Sequence, residues 1–124
     1  AKQSHGHYLL IDCHSMPATD QYDRNLPDFV LGDCHGRTLA TYVRKQIDDF
    51  IRSKDFTIGW NAPYSGGHIT SHYGKATGPG QALQIEINRS LYMRRPHQID
   101  VDGAARVSTL ITSLLEFLDT TVES

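Results

Sequence analysis

Two rhythms of apolar and polar positions run along the chain. The first apolar run, Tyr8-Leu9-Leu10-Ile11, ends abruptly in Asp12-Cys13-His14-Ser15 and predicts a strand over residues 7–13. Residues 14–27 carry Pro17, Asp20, Asn25 and Pro27 and read as a loop. Phe29-Val30-Leu31 is a second strand stopped by Gly32-Asp33. From residue 38 to 53 the apolar positions are Leu39, Tyr42, Val43, Ile47, Phe50 and Ile51, the spacing of an amphipathic helix with Thr38 as its N-cap. Residues 56–60 and 82–87 read as a third and a fourth strand. Between them, residues 61–80 are rich in Gly and Pro and predict a long irregular stretch, which in a small domain is usually functional or disordered. Val107, Leu110, Ile111, Leu114, Leu115 and Leu118 define a C-terminal amphipathic helix. The order β-β-α-β-β-α implies an α/β fold: a mixed, mostly parallel sheet with helices packed on its faces.

Length and composition narrow the function classes. The 124 residues suit a single α/β domain spanning 1–124. With 39% hydrophobic and 21% charged residues and a formal net charge of −2, there is no basic excess to suggest a nucleic-acid partner. No apolar run approaches the ~18–20 residues that span a membrane, and no basic-then-apolar start suggests a signal peptide. Cys13 and Cys34 are too few for a disulfide framework. Two free, partly buried thiols in a reducing cytoplasm are the expectation.

The chemistry concentrates in two strands. Side chains alternate along a strand, so Asp12 and His14 share one face and Cys13 points the other way. A His with a carboxylate on its own face at the carboxyl end of a strand suits a metal ligand or a general base, and equally a polar strand end. In Leu83-Gln84-Ile85-Glu86-Ile87-Asn88-Arg89, alternation places Gln84, Glu86 and Asn88 on one face. A carboxylate within such a strand requires a task or a partner. It is either a Glu paired with Arg89 or a general base meeting His14 if the two strands are neighbours. The other His residues, of seven in all, carry less. His68 and His72 stand four apart, but the surrounding Gly66, Gly67, Thr70 and Gly74 argue against a helix. His5, His7 and His97 read as surface, and His35 as a loop residue near a strand end. HExxH, a Gly-Lys-Ser/Thr phosphate loop, GxGxxG and Gly-x-Ser-x-Gly are all absent. Cys34 and His35 are adjacent, a poor arrangement for a thiol nucleophile and its base.

Five motifs occur in order: Asp12-Cys13-His14-Ser15-Met16-Pro17, Asp28-Phe29-Val30-Leu31-Gly32-Asp33, Asn61-Ala62-Pro63-Tyr64-Ser65-Gly66-Gly67-His68-Ile69-Thr70, Tyr73-Gly74, and Leu83-Gln84-Ile85-Glu86-Ile87-Asn88-Arg89-Ser90-Leu91-Tyr92-Met93. Together they resemble the N-formylglutamate amidohydrolase (deformylase) family, similar in fold to the zinc carboxypeptidases and aspartoacylases. The resemblance implies zinc-dependent hydrolysis of an N-formyl or N-acyl amino acid, most directly N-formylglutamate to glutamate and formate. It implies that His14, the His followed by Ser15, is the third zinc ligand, with Asp12 beside it, and that Glu86 is the base that activates the zinc-bound water. Residues 64–73, with Tyr64, Gly66, Gly67 and Tyr73, match the segment that closes over the substrate. Asn88 and Arg89 match site-supporting or substrate-orienting groups.

Members of the family are about twice this long, and their other two zinc ligands, a His and an acidic residue, lie in an N-terminal half with no counterpart here. The resemblance therefore implies a C-terminal half: one metal ligand plus the base, with zinc bound weakly when the chain is alone. It also implies self-association or an N-terminal partner half. The alternative is a non-catalytic domain of the same fold, acting as a complementing half or a binding module.

Overall fold

The computed structural model describes residues 8–95 and 98–123. His5, His7 and His97 lie outside them. Four strands form one sheet in the order β1 (Tyr8–Met16), β4 (Gly80–Asn88), β2 (Phe29–Gly32), β3 (Ile58–Trp60). β1 runs parallel to β4, β2 antiparallel to β4, and β3 parallel to β2. The sheet is thus mixed, with two of its three pairings parallel.

Alternation divides the sheet into two faces. Leu9, Phe29, Leu31, Leu83 and Ile85 point to one side, where they meet Val43, Ile47 and Ile51 of α1 (Thr41–Ser53) and Leu110, Leu114 and Leu118 of α3 (Val101–Glu123). This is the hydrophobic core. Burying such a face at roughly 25 cal/mol per Å² is what holds the two helices to the sheet. Phe50 and Phe117 stack between the helices, their ring centroids 4.7 Å apart. The opposite face carries Asp12, His14, Gln84, Glu86 and Val30, as the register requires.

Several elements differ from the sequence expectation. β1 continues to Met16, so His14 lies within the strand rather than just past its end. The helix expected from Thr38 begins at Thr41, with Ala40 at the cap. The Thr38 hydroxyl donates instead to the Ala82 carbonyl at 2.9 Å, a tertiary bond that takes the group a cap would have used. The Ala40 N–H is satisfied by Gln81 Oε1 at 2.7 Å. The third strand is shorter than expected and the C-terminal helix begins six residues earlier, at Val101. The stretch 61–80 is not wholly irregular, because His68–Tyr73 forms a short helix, α2. A small antiparallel pair, β5 (Met93–Arg95) and β6 (Gln98–Ile99), precedes α3. Cys13 is exposed and Cys34 buried, both as free thiols. Among the described residues no helix is long and apolar enough to cross a membrane.

Two polar ties fix the β2–β3 edge. Asp28 and Thr57 exchange bonds, the Thr57 N–H donating to Asp28 Oδ2 at 2.9 Å and the Asp28 N–H to Thr57 Oγ1 at 2.8 Å. Asp48 of α1 accepts the Trp60 indole N–H at 2.8 Å and Arg52 Nε at 2.7 Å. Burial alone would raise the Asp48 carboxyl, but the bonds from Trp60 and Arg52 outweigh it and hold the group below its ordinary value. A carboxyl depressed on folding contributes stability above its unfolded pKa and loses it as pH falls through the folded one. Asp48→Ala is therefore expected to cost about 1–3 kcal/mol near neutral pH, with the deficit shrinking on acidification. Urea unfolding followed by Trp60 fluorescence, at neutral pH and below pH 4, measures both.

Candidate active site

The register of β1 and β4 sets the site. Because the strands are parallel and paired Asp12 with Gln84 and His14 with Glu86, these four side chains share one face near the carboxyl ends of adjacent strands. His14 Nε2 lies 2.9 Å from Asp12 Oδ2. That bond to Asp12 raises the His14 pKa; burial opposes it, and the negative charges of Asp12 and Glu86 add to the rise. Glu86 is 6% exposed. Burial raises its carboxyl pKa, the His14 charge and the Gln84 bond pull it partly back, and the Asp12 carboxylate adds to the rise. A raised carboxyl pKa is the direction that suits a group taking a proton from water.

The two Glu86 oxygens differ. Oε2 accepts Gln84 Nε2 at 2.8 Å. Oε1 has no hydrogen-bond partner among the described residues. One oxygen is fixed and the other is free to address a water. Arg89, the alternative partner of Glu86, is exposed and makes no described ion pair with it.

The neighbouring loops form the walls. Ser65 and Gly66 pass over Gly32 so closely that a Cβ on Gly32 would lie 2.6 Å from the Ser65 carbonyl carbon. The Gly67 N–H donates to Gln84 Oε1 at 2.7 Å, and α2 begins there and lies against β4 and β1. The loop is anchored upstream as well. Asn61, at φ 63°, accepts the Asp33 and His35 N–H groups at 3.0 and 3.2 Å and donates to Asp33 Oδ1 at 2.8 Å. The Cys34 N–H donates to the Ser65 carbonyl at 2.7 Å. Residues 17–24 and 63–64 flank a groove of about 330 Å³ in which Tyr64 stands with Arg24 and Tyr22.

The other sequence candidates fall in different places. Ser15 is on the opposite face of β1 from His14, yet both line a cleft of about 330 Å³ with Cys13, Ile87 and Tyr92. Asn88 spends its amide on the chain itself: Nδ2 donates to the Leu26 and Pro27 carbonyls at 3.1 Å, and Oδ1 accepts from Ser90. It fastens the segment before β2 and caps the 3-10 turn Arg89–Leu91. Tyr73 is exposed, and its carbonyl faces the Tyr8 hydroxyl at 3.4 Å. His68 and His72 are on one helix after all, with stacked rings 5.3 Å apart. A larger cleft, about 490 Å³ between Lys54, Phe56, Arg106 and Leu110, opens on the helical side of the sheet and contains none of the candidate groups. Gln84 was placed by alternation but not singled out; its link to Gly67 spans 17 residues and has no local signature.

An imidazole beside carboxylates is the donor chemistry zinc takes. Among the described residues, however, no three His, Cys, Asp or Glu side chains are grouped so as to hold a metal ion. Beside Glu86 the described residues offer the imidazole of His14, and they do not form a three-ligand centre by themselves.

Comparison with known proteins gives this arrangement its relatives. The sequence model of the N-formylglutamate amidohydrolase family matches residues 1–93. The chain belongs to that family. It is similar to the N-formylglutamate deformylases of Pseudomonas aeruginosa and Pseudomonas putida, at 30% and 29% identity over 122 residues. Each match covers 94% of this chain and 46% of the relative, so the chain spans about half the length of the curated relatives it matches. The crystal structure of an N-formylglutamate amidohydrolase from Ralstonia eutropha JMP134 superposes with a TM-score of 0.80 at 29% identity, over 94% of this chain and 44% of that one. The α/β sheet with His14 and Glu86 in register is therefore an N-formylglutamate amidohydrolase fold.

Proposed function

We propose that this chain carries the base-bearing wall of an N-formylglutamate amidohydrolase and takes part in hydrolysis of N-formylglutamate to glutamate and formate. The observation that carries the reading is the pairing of His14 with Glu86 on one face of a family sheet, one Glu86 oxygen being fixed and the other free. Glu86 takes a proton from the water that attacks the formyl carbon and delivers it to the leaving amine. Asp12 orients the His14 imidazole through the 2.9 Å contact. We propose zinc as the cofactor, with His14 as one ligand and the others from outside the described residues. When bound, such an ion polarises the scissile carbonyl and acidifies water. A reducing cytoplasm suits the two free thiols.

The same observations motivate a partner. Among the described residues β1 is an edge strand of the sheet, and an unpaired edge invites pairing with another chain. We propose that the chain self-associates through β1 or binds a segment that completes the metal site.

Zinc content by metal analysis and formate release from N-formyl-L-glutamate test these readings together. The chain is expected to take up zinc weakly alone. Formate release is expected to rise when the unmatched half of the Pseudomonas aeruginosa relative is added. His14→Ala should abolish both. Formate release unaffected by His14→Ala would overturn the proposal. Zinc-independent binding of the added half with no turnover favours the non-catalytic, complementing reading. Light scattering at low and high concentration checks the association; a monomer mass at both rejects self-association.

A further inference from the structure

Gln84 is 6% exposed and sits two residues before Glu86 on the same face of β4. Its carboxamide is engaged at both ends: Oε1 by the Gly67 N–H at 2.7 Å, Nε2 by Glu86 Oε2 at 2.8 Å. An amide oxygen only accepts and an amide nitrogen only donates, so the two contacts constrain each other. With the Gly67 N–H as donor, Oε1 must face the loop and the NH2 group must face Glu86. The assignment of oxygen and nitrogen follows from the neighbours, since a backbone N–H and a carboxylate accept no other orientation.

We propose that Gln84 is a positioning residue that couples docking of the 65–67 loop to alignment of the Glu86 carboxylate. The inference rests on the reading of Glu86 as the base. The loop's approach to the sheet is built in by missing side chains. Gly32 leaves room for the Ser65 backbone, and Gly66, at φ 124°, has Cys34 Sγ 2.9 Å from where a Cβ would stand. Two bonds then hold the loop down: Cys34 N–H to the Ser65 carbonyl and Gly67 N–H to Gln84. Only the second continues to Glu86. When the loop is down, the carboxamide is oriented and Oε2 is fixed, which sets the direction of Oε1. When the loop lifts, the carboxamide is free to rotate, and the base loses the one neutral donor that sets its angle. Since Gly67 is the N-cap of α2, any motion of α2 acts on the base through the Gly67–Gln84 and Gln84–Glu86 bonds.

Two substitutions separate the two ends of the tether. Gln84→Glu is nearly isosteric; it keeps an acceptor for the Gly67 N–H and replaces the neutral amide donor to Glu86 with a second carboxyl, which shares or contests a proton with it. Gln84→Met removes both. Amide hydrogen exchange by NMR on the full chain is expected to be at least tenfold faster at Gly67 in Gln84→Met and close to the parent rate in Gln84→Glu. Glu86→Ala is expected to shift the Gln84 side-chain NH2 resonances, which a residue that merely pinned the loop would not show. Wherever N-formyl-L-glutamate is turned over, Gln84→Glu is expected to lower kcat by about 10–100-fold, the range for residues that orient an active group, with KM within twofold. Unchanged Gly67 exchange in Gln84→Met, or unmoved Gln84 resonances in Glu86→Ala, would overturn the coupling. If Glu86→Gln turns over normally while both NMR effects are present, the base assignment fails and the tether stands.

Discussion

Glu86→Gln is expected to reduce kcat for N-formyl-L-glutamate by about 10²–10⁴-fold, the usual contribution of a general base. The substitution is close to isosteric. Gln84 Nε2 can still donate, to an amide oxygen in place of Glu86 Oε2, so the 2.8 Å contact and the fold around it survive. What is lost is the ability of the carboxylate to accept a proton. KM is expected to change little, because a base that acts on water in the transition state adds little to ground-state binding. Steady-state formate release, with thermal unfolding as a control for folding, measures the effect. Turnover within threefold of the parent would remove Glu86 from the mechanism.

The parts of the site that lie within single strands were legible from alternation. Asp12 and His14 had to share a face, as did Gln84 and Glu86. The sheet then supplied what alternation cannot, namely that β1 and β4 are neighbours and that His14 stands opposite Glu86. The ordered motifs pointed to the same pairing through family resemblance.

What escaped the sequence was decided by tertiary bonds. Thr38 has the side chain of an N-cap, but the Ala82 carbonyl claims its hydroxyl and the helix starts three residues later. Residues 68–73 sit among glycines and carry β-branched Ile69 and Thr70, so local propensity argues against a helix there. Their packing against β4 and β1, with Thr70 buried, overrides it. Asn88 is a site-supporting group by family resemblance, and in the structure its amide is bonded to the Leu26 and Pro27 carbonyls, a tertiary contact no local pattern announces. Gln84 is the inverse case: an ordinary polar strand residue until the loop folds back and places Gly67 on it.

Gly32→Ala tests that loop from the sheet side and is expected to be severe. A Cβ at this position would stand 2.6 Å from the Ser65 carbonyl carbon, 2.7 Å from its oxygen and 2.8 Å from Gly66 N. All three are backbone atoms, so no side-chain rotation relieves the clash. Either β2 or the loop must move. β2 lies between β4 and β3 and carries the fully buried Phe29, Val30 and Leu31, whereas the loop is held to the sheet chiefly by the bonds at Ser65 and Gly67. The loop is the element that gives way. Overpacking of this kind costs about 1–3 kcal/mol, and lifting the loop also removes the Gly67 N–H from Gln84. The variant is therefore expected to unfold at lower urea, to lose exchange protection at Gly67, and to lose turnover by about as much as Gln84→Glu, although Gly32 makes no contact with Glu86 through a side chain. Gly36 supplies a contrast: it has φ 89° and nothing within 4 Å of its Cβ position, so Gly36→Ala strains the backbone without touching the loop. Gly36→Ala is expected to destabilise while leaving Gly67 protected. Equal protection of Gly67 in both variants would show that the loop's seat on Gly32 does not govern the site.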